Sequence, residues 1–171
     1  MNQEPPLALV DADRARQDAE RLYNAVLPAL AGILPSGSDI RHVGATAVPG
    51  CLTKGDLDIV VRVPAEDFAA ADASLAARFQ RNEGSIRTET FSAFEDASCR
   101  PHLGIQLVVI DGPLDFFHLF VDALMGSPRL VHAYNALKKR HEGRDMAEYR
   151  EAKDRFVEQV LADARSSAHP L

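Results

Sequence analysis

From Asp13 to Ile33 apolar residues recur at spacings of three and four, with Leu22, Val26, Leu30 and Ile33 on one face, which predicts a helix. Asp11 or Asp13 is placed to cap it, and Pro35-Ser36-Gly37-Ser38 to end it. The period then shortens. Asp39–Val43 reads as a short strand, and Leu57–Val63 as the strongest strand of the chain, closed by Pro64. A helical pattern returns over Ala65–Phe79, where Phe68, Ala71, Leu75 and Phe79 form the stripe. Two more strands are predicted at Ser85–Phe94 and Leu103–Ile110, the second apolar apart from Gln106, as suits a central strand. Asp111-Gly112-Pro113 is a turn. Helices are predicted over Leu114–Met125, Pro128–Glu142 and Met146–Ala164, with Ser127 and Pro128 as cap and first-turn proline and Gly143 separating the last two. Residues 1–11 lack any period and read as a loose leader.

This order implies an α+β fold, a mixed sheet flanked by helices with a helical C-terminal tail. With 171 residues and no repeat, linker or low-complexity tract, residues 1–171 are expected to form one domain. The formal net charge of −6 argues against broad, non-specific nucleic-acid binding, which needs a basic surface. Cys51 and Cys99 show no zinc-ligand spacing and read as buried or half-buried thiols. The N-terminus lacks the basic start and apolar core of a signal peptide, and no stretch approaches the roughly 20 apolar residues of a membrane span, so a cytoplasmic protein is expected.

Chemistry concentrates between the first two strands. Asp56 and Asp58 are one residue apart, so in an extended chain they share a face while Leu57, Ile59 and Val61 share the other. Two carboxylates on an otherwise apolar strand must be solvated or paired. Lys54 offers one partner for Asp56, but an exposed pair contributes only about 0–1 kcal/mol. A cation offers another, since Mg²⁺ takes one or two carboxylates plus phosphate oxygens and water. Gly44 opens a turn whose following amides, at Ala45, Thr46 and Ala47, are candidates for binding anionic oxygen.

Together, His42-Val43-Gly44-Ala45-Thr46-Ala47-Val48-Pro49-Gly50 and Lys54-Gly55-Asp56-Leu57-Asp58-Ile59 resemble the signature of the GrpB family, a nucleotidyltransferase-like group. Gly44-Ala45, ten intervening residues and Asp56-Leu57-Asp58 also fit the superfamily's glycine turn and Asp-x-Asp spacing. The resemblance extends through Pro101–Leu107, Tyr134–Lys138 and Tyr149–Phe156, covering about residues 13 to 162. It implies a nucleotidyltransferase-like fold and transfer of a nucleoside monophosphate from a triphosphate to an acceptor hydroxyl. Asp56 and Asp58 would hold Mg²⁺ or Mn²⁺ and act in catalysis. Gly44, Ala45, Thr46, Lys54, His102, Lys138 and Lys153 would contact the triphosphate, with a small-molecule acceptor as the other partner.

The chain departs from that pattern at two points. Ala45 stands where a serine is usual, with Thr46 as a stand-in. Gln106 stands where a third carboxylate is expected; its carbonyl can coordinate a cation, but it cannot take up a proton near pH 7. Asp111 or His102 is left as a substitute base. His42 reads as a satisfied, half-buried histidine. The Tyr134/Lys138 and Tyr149/Lys153 pairs, each i,i+4, read either as lysine stems over aromatic rings or as cations directed at phosphate. The rival reading is a nucleotide-binding or regulatory module without turnover. An interaction protein with a vestigial site leaves the aspartate pair unexplained.

Overall fold

The structure, a computed structural model, describes residues 4–168. Asp11 opens α1 (Ala12–Ile33), its carboxylate accepting the Arg14 amide at 2.7 Å and satisfying a first-turn donor. Strand β1 (Asp39–Val43) leads through Gly44 and a 3₁₀ turn at Ala45–Ala47 to β2 (Leu57–Val63). A second 3₁₀ turn, Ala65–Asp67, precedes α2 (Phe68–Ala76). Strands β3 (Gln80–Arg81), β4 (Phe91–Asp96) and β5 (Leu103–Val109) complete the sheet. Helices α3 (Phe117–Met125), α4 (Pro128–His141) and α5 (Met146–Ala168) follow.

The sheet runs β1-β2-β5-β4-β3, with β2 and β5 parallel and the other pairs antiparallel. This is the mixed α+β sheet the periodicity predicts. Side-chain alternation divides it into two faces. Leu57, Ile59, Val61 and Val63 join Leu103, Ile105, Leu107 and Val109 on one face, packed with Ala19 and Leu30 of α1 and Ala71 and Leu75 of α2. Each fully buried large aliphatic side chain there contributes about 1.5–3 kcal/mol. On the other face Val43, Val60, Phe91, Ala93 and Val108 meet Leu114, Phe117 and Val121. Registers of Asp58 with Gly104, Gly104 with Glu95, and Gln106 with Val60 put Asp58, Gln106 and Glu95 on this second face. Helices α3, α4 and α5 pack on one another around Phe120, Tyr134, Phe156 and Val157.

Three sequence expectations change. The strand predicted at Ser85–Phe94 is instead β4 at Phe91–Asp96. A turn just before β4 holds the preceding residues off the ladder, with the Thr88 amide donating to Phe91 O at 2.8 Å and the Thr90 amide to Thr88 Oγ1 at 3.2 Å. The helix predicted over Ala65–Phe79 starts as a 3₁₀ turn and its α-helical part ends at Ala76. Residues 4–11 of the expected leader are tied down: Leu7 is buried, its carbonyl accepts the Gly143 amide at 2.8 Å, and Val10 bridges Thr53. Met1, Asn2 and Gln3 lie outside the described residues.

Asp72 fastens α2 to the sheet's β3 edge. Arg81 grips both its oxygens at 3.0 and 2.7 Å, and Ser92 Oγ donates at 2.6 Å. The Arg81 hydrogen bonds, opposed by burial and assisted by Ser92, hold the Asp72 carboxyl at about 2, below its ordinary 3.8. A depressed carboxyl stabilises the fold above its unfolded value, and that stabilisation is lost as pH falls through the folded value. Asp72→Asn is expected to cost about 1–3 kcal/mol at pH 7. Urea unfolding should show wild type and variant converging as pH falls from about 4 toward 2.

Candidate functional site

Asp58 lies second in β2, beside the end of β1, and its carboxylate sits between two glycines. A Cβ on Gly44 would lie 2.6 Å from Asp58 Oδ2, and one on Gly104 would lie 3.1 Å from Asp58 Oδ1. Gly44 also has φ 77°, a backbone state that side chains disfavour. The two bare positions together make room for the carboxylate. Burial pushes the Asp58 carboxyl up from its ordinary value; Lys153 opposes the rise and the neighbouring Asp56 adds to it. Gln106 lies two residues along β5 from Gly104, and its buried Oε1 has no hydrogen-bond partner among the described residues.

Asp56 precedes β2 and lines the same cavity as Asp58. Lys54 Nζ lies 3.1 Å from its Oδ2, and His102 Nδ1 4.0 Å from that oxygen. The other His102 nitrogen, Nε2, is 3.3 Å from Glu95 Oε2. Glu95 was not legible as a site residue, because only the β4–β5 register places it across Gly104 from Asp58. Asp111 is at the far end of the sheet, beyond the C-terminus of β5, with its amide bound to Asp115. It is therefore not positioned as the substitute base.

The turn residues have separate tasks. Gly44 and Ala45 line the cavity. The Ala47 amide closes the 3₁₀ turn on Gly44 O at 3.1 Å, which takes it out of the proposed amide cradle. Thr46 is buried and its hydroxyl donates to Asp56 O at 2.9 Å, so it braces the aspartate segment where a phosphate-facing hydroxyl was expected. With that proton engaged, Thr46 Oγ1 accepts from His42 Nε2 at 2.9 Å. Burial pushes the His42 imidazole down, and the ring stacks on Tyr23. His42 is a satisfied, half-buried histidine.

The two tail lysines diverge. Lys138 is buried, donating to Leu52 O and to Cys51 Sγ at 3.3 Å, with its nitrogen 3.8 Å from the Tyr134 ring centroid. Burial lowers its ammonium to about 8. Lys153 also lines the cavity and has no hydrogen-bond or ion-pair partner among the described residues. It is the better placed of the two for an anionic ligand. Between pH 8 and 10 the unfolded chain keeps the Lys138 proton that the folded chain releases, so stability should rise by about 2 kcal/mol across that window. Lys138→Met should flatten the slope in urea unfolding. Above pH 10 the buried Tyr134 and Tyr149 phenols, both pushed up by burial, reverse the trend.

All these groups except His102, Glu95 and Asp111 open on, or brace, a cavity of about 760 Å³ between the sheet, the start of α3 and α5. That volume suits a nucleotide-sized ligand. Among the described residues no group of three or more His, Cys, Asp or Glu is arranged to hold a metal. A cation here would depend on Asp56, Asp58, the Gln106 carbonyl and oxygens from the ligand, a hard-oxygen set suited to Mg²⁺ or Mn²⁺. The unpartnered Gln106 Oε1 fits that set. No described helix is long and apolar enough to cross a membrane.

A mixed sheet with Asp58 in β2 and Asp56 just before it, facing a glycine turn from the preceding strand, is the arrangement expected of a nucleotidyltransferase-like fold. The chain belongs to the GrpB family, described as GrpB protein, whose match spans residues 7–163. It is 34% identical over 154 residues to a UPF0157 protein of Vibrio cholerae, covering 90% of this chain and 81% of that one. A UPF0157 protein of Deinococcus radiodurans is 31% identical over 132 residues, covering 74% and 68%. The crystal structure of conserved protein GrpB from Enterococcus faecalis superposes with TM-score 0.70 at 18% identity, covering 88% of this chain and 94% of that one. The Cid1 poly(U) polymerase bound to MgGTP superposes with TM-score 0.50 at 12% identity, over 71% of this chain and 39% of that one. A Cid1 mutant bound to MgATP gives 0.51 at 11%, over 75% and 42%. At these identities the structural likeness speaks for the fold.

Proposed function

We propose that this protein is a metal-dependent nucleotidyltransferase that moves a nucleoside monophosphate from a triphosphate to an acceptor hydroxyl, with pyrophosphate leaving. The observation that carries the reading is the Asp58 carboxylate seated between Gly44 and Gly104, beside the unpartnered Gln106 Oε1, on a nucleotide-sized cavity. The Cid1 structures bound to MgGTP and MgATP lend support through the shared fold. Asp56 and Asp58 would hold Mg²⁺ or Mn²⁺ with Gln106. When bound, the cation would neutralise phosphate charge and polarise the attacked phosphoryl group. Gly44 lets the ligand approach the main chain beside Ala45, and Lys153 supplies the unpaired positive charge. Thr46 fixes the Asp56 backbone, Lys54 pairs with its carboxylate at the cavity wall, and His102 flanks it from outside the cavity.

A second reading is favoured by Gln106 itself. An amide cannot accept the acceptor's proton, so a module that binds nucleotide without turnover is the alternative. Pyrophosphate release, measured with Mg²⁺, a nucleoside triphosphate and a pool of small hydroxyl compounds, separates the two. Release that depends on Asp56 supports the transferase; binding without release supports the module. Gln106→Glu is expected to raise release about tenfold or more, the usual lower range for adding a positioned base. Absence of any metal-dependent binding would overturn both readings.

A further inference from the structure

Three phenylalanine rings form a column from the sheet to the cavity. Phe91 stacks on Phe117 with centroids 6.2 Å apart and planes within 13°, and Phe117 stacks on Phe116 at 4.6 Å and 15°. Phe91 is buried in β4 and anchors the column. Phe116 caps α3, is half-buried and lines the cavity. The polar residues of this segment lie off the cavity wall. Asp115 accepts Arg62 at 2.6 and 2.7 Å and the Asp111 amide at 2.9 Å, and the buried His118 Nδ1, 3.5 Å from Asp115, has no hydrogen-bond partner among the described residues. The segment's contribution to the cavity wall is therefore Pro113, Leu114, Phe116, Phe117 and Phe120, none with a side-chain donor or acceptor.

A cavity with carboxylates, a glycine turn and Lys153 in one part, and a stacked aromatic wall in another, suits a ligand that is anionic at one end and flat at the other. We infer that Phe116 is the stacking platform for the nucleobase of the bound triphosphate, which it holds by the face. This inference rests on the nucleotide reading above. Every nucleobase offers a π-face, so stacking tolerates all four, whereas discrimination requires polar groups that match the base edges. Removing a stacking ring typically weakens binding by roughly 5- to 150-fold.

Titration calorimetry of the full chain with Mg²⁺ tests this, using ATP, GTP, CTP, UTP and inorganic tripolyphosphate. Each of the four nucleotides should bind about tenfold or more tighter than tripolyphosphate. Phe116→Ala and Phe116→Leu should each lose about tenfold or more for the nucleotides while tripolyphosphate affinity stays unchanged, which also reports an intact fold. If Phe116→Ala loses tripolyphosphate as well, the leucine variant, which keeps most of the apolar volume, decides. Nucleotide binding no tighter than tripolyphosphate, or wild-type nucleotide affinity in both variants, overturns the platform; each leaves the phosphate site standing. Wild-type protein that binds neither tripolyphosphate nor nucleotide overturns the nucleotide reading itself.

Discussion

Asp58→Asn should abolish metal-dependent nucleotide binding, weakening it by about a hundredfold or more, because it halves the anionic charge available to a divalent cation. The same change should not cost stability. In the absence of a cation, burial and the Asp56 charge already disfavour ionised Asp58. A carboxyl pushed up in this way stabilises the fold at low pH and loses that contribution as pH rises through its folded value. At pH 7 the neutral amide relieves that burden. The combination is diagnostic: affinity falls while the thermal midpoint holds or rises. A residue kept for structure alone would lose stability on substitution, as Asp72 is expected to do.

Gly44→Ala should have the other large effect, and through geometry alone. The added methyl would lie 2.6 Å from Asp58 Oδ2, and the backbone at φ 77° disfavours any side chain. The carboxylate must move or the turn must open. A stability cost of about 1–3 kcal/mol is expected from the strained backbone. A loss of nucleotide affinity of about tenfold or more should accompany it, from displacement of a ligand by a fraction of an ångström. Gly104→Ala meets the other oxygen at 3.1 Å, where a small shift of the neighbour suffices, so its effect should be smaller. Parallel urea unfolding and calorimetric titration of the two variants measure both orders.

Much of this was legible in the chain. Strands β1 and β2 fall at Asp39–Val43 and Leu57–Val63 as periodicity predicts, because local alternation and Pro64 define them. The Asp56/Asp58 pair and Gly44 were legible for the same reason: spacing along one extended segment sets which side chains share a face. Partners across the fold were not. Glu95 reaches His102 only through strand register, and Thr46 turns inward because Asp56 O needs a donor. Lys138 and Lys153 carry the same i,i+4 pattern with tyrosine and both line the cavity, yet the ammonium of one donates to Leu52 and Cys51 while that of the other has no partner among the described residues. Helical spacing sets a face, and only packing determines what that face meets. The start of β4 moved to Phe91 for a similar reason: a turn in which Thr88 binds Phe91 O and the Thr90 amide outweighed the local preference for strand.

The central claim is that Asp56 and Asp58 serve a cation that carries a nucleoside triphosphate. Calorimetric titration of the full chain with ATP, in excess Mg²⁺ and again in excess EDTA, tests it most directly. Saturable binding with Mg²⁺ that disappears with EDTA is the expected result. Absence of binding with the metal, or equal binding without it, would contradict the claim.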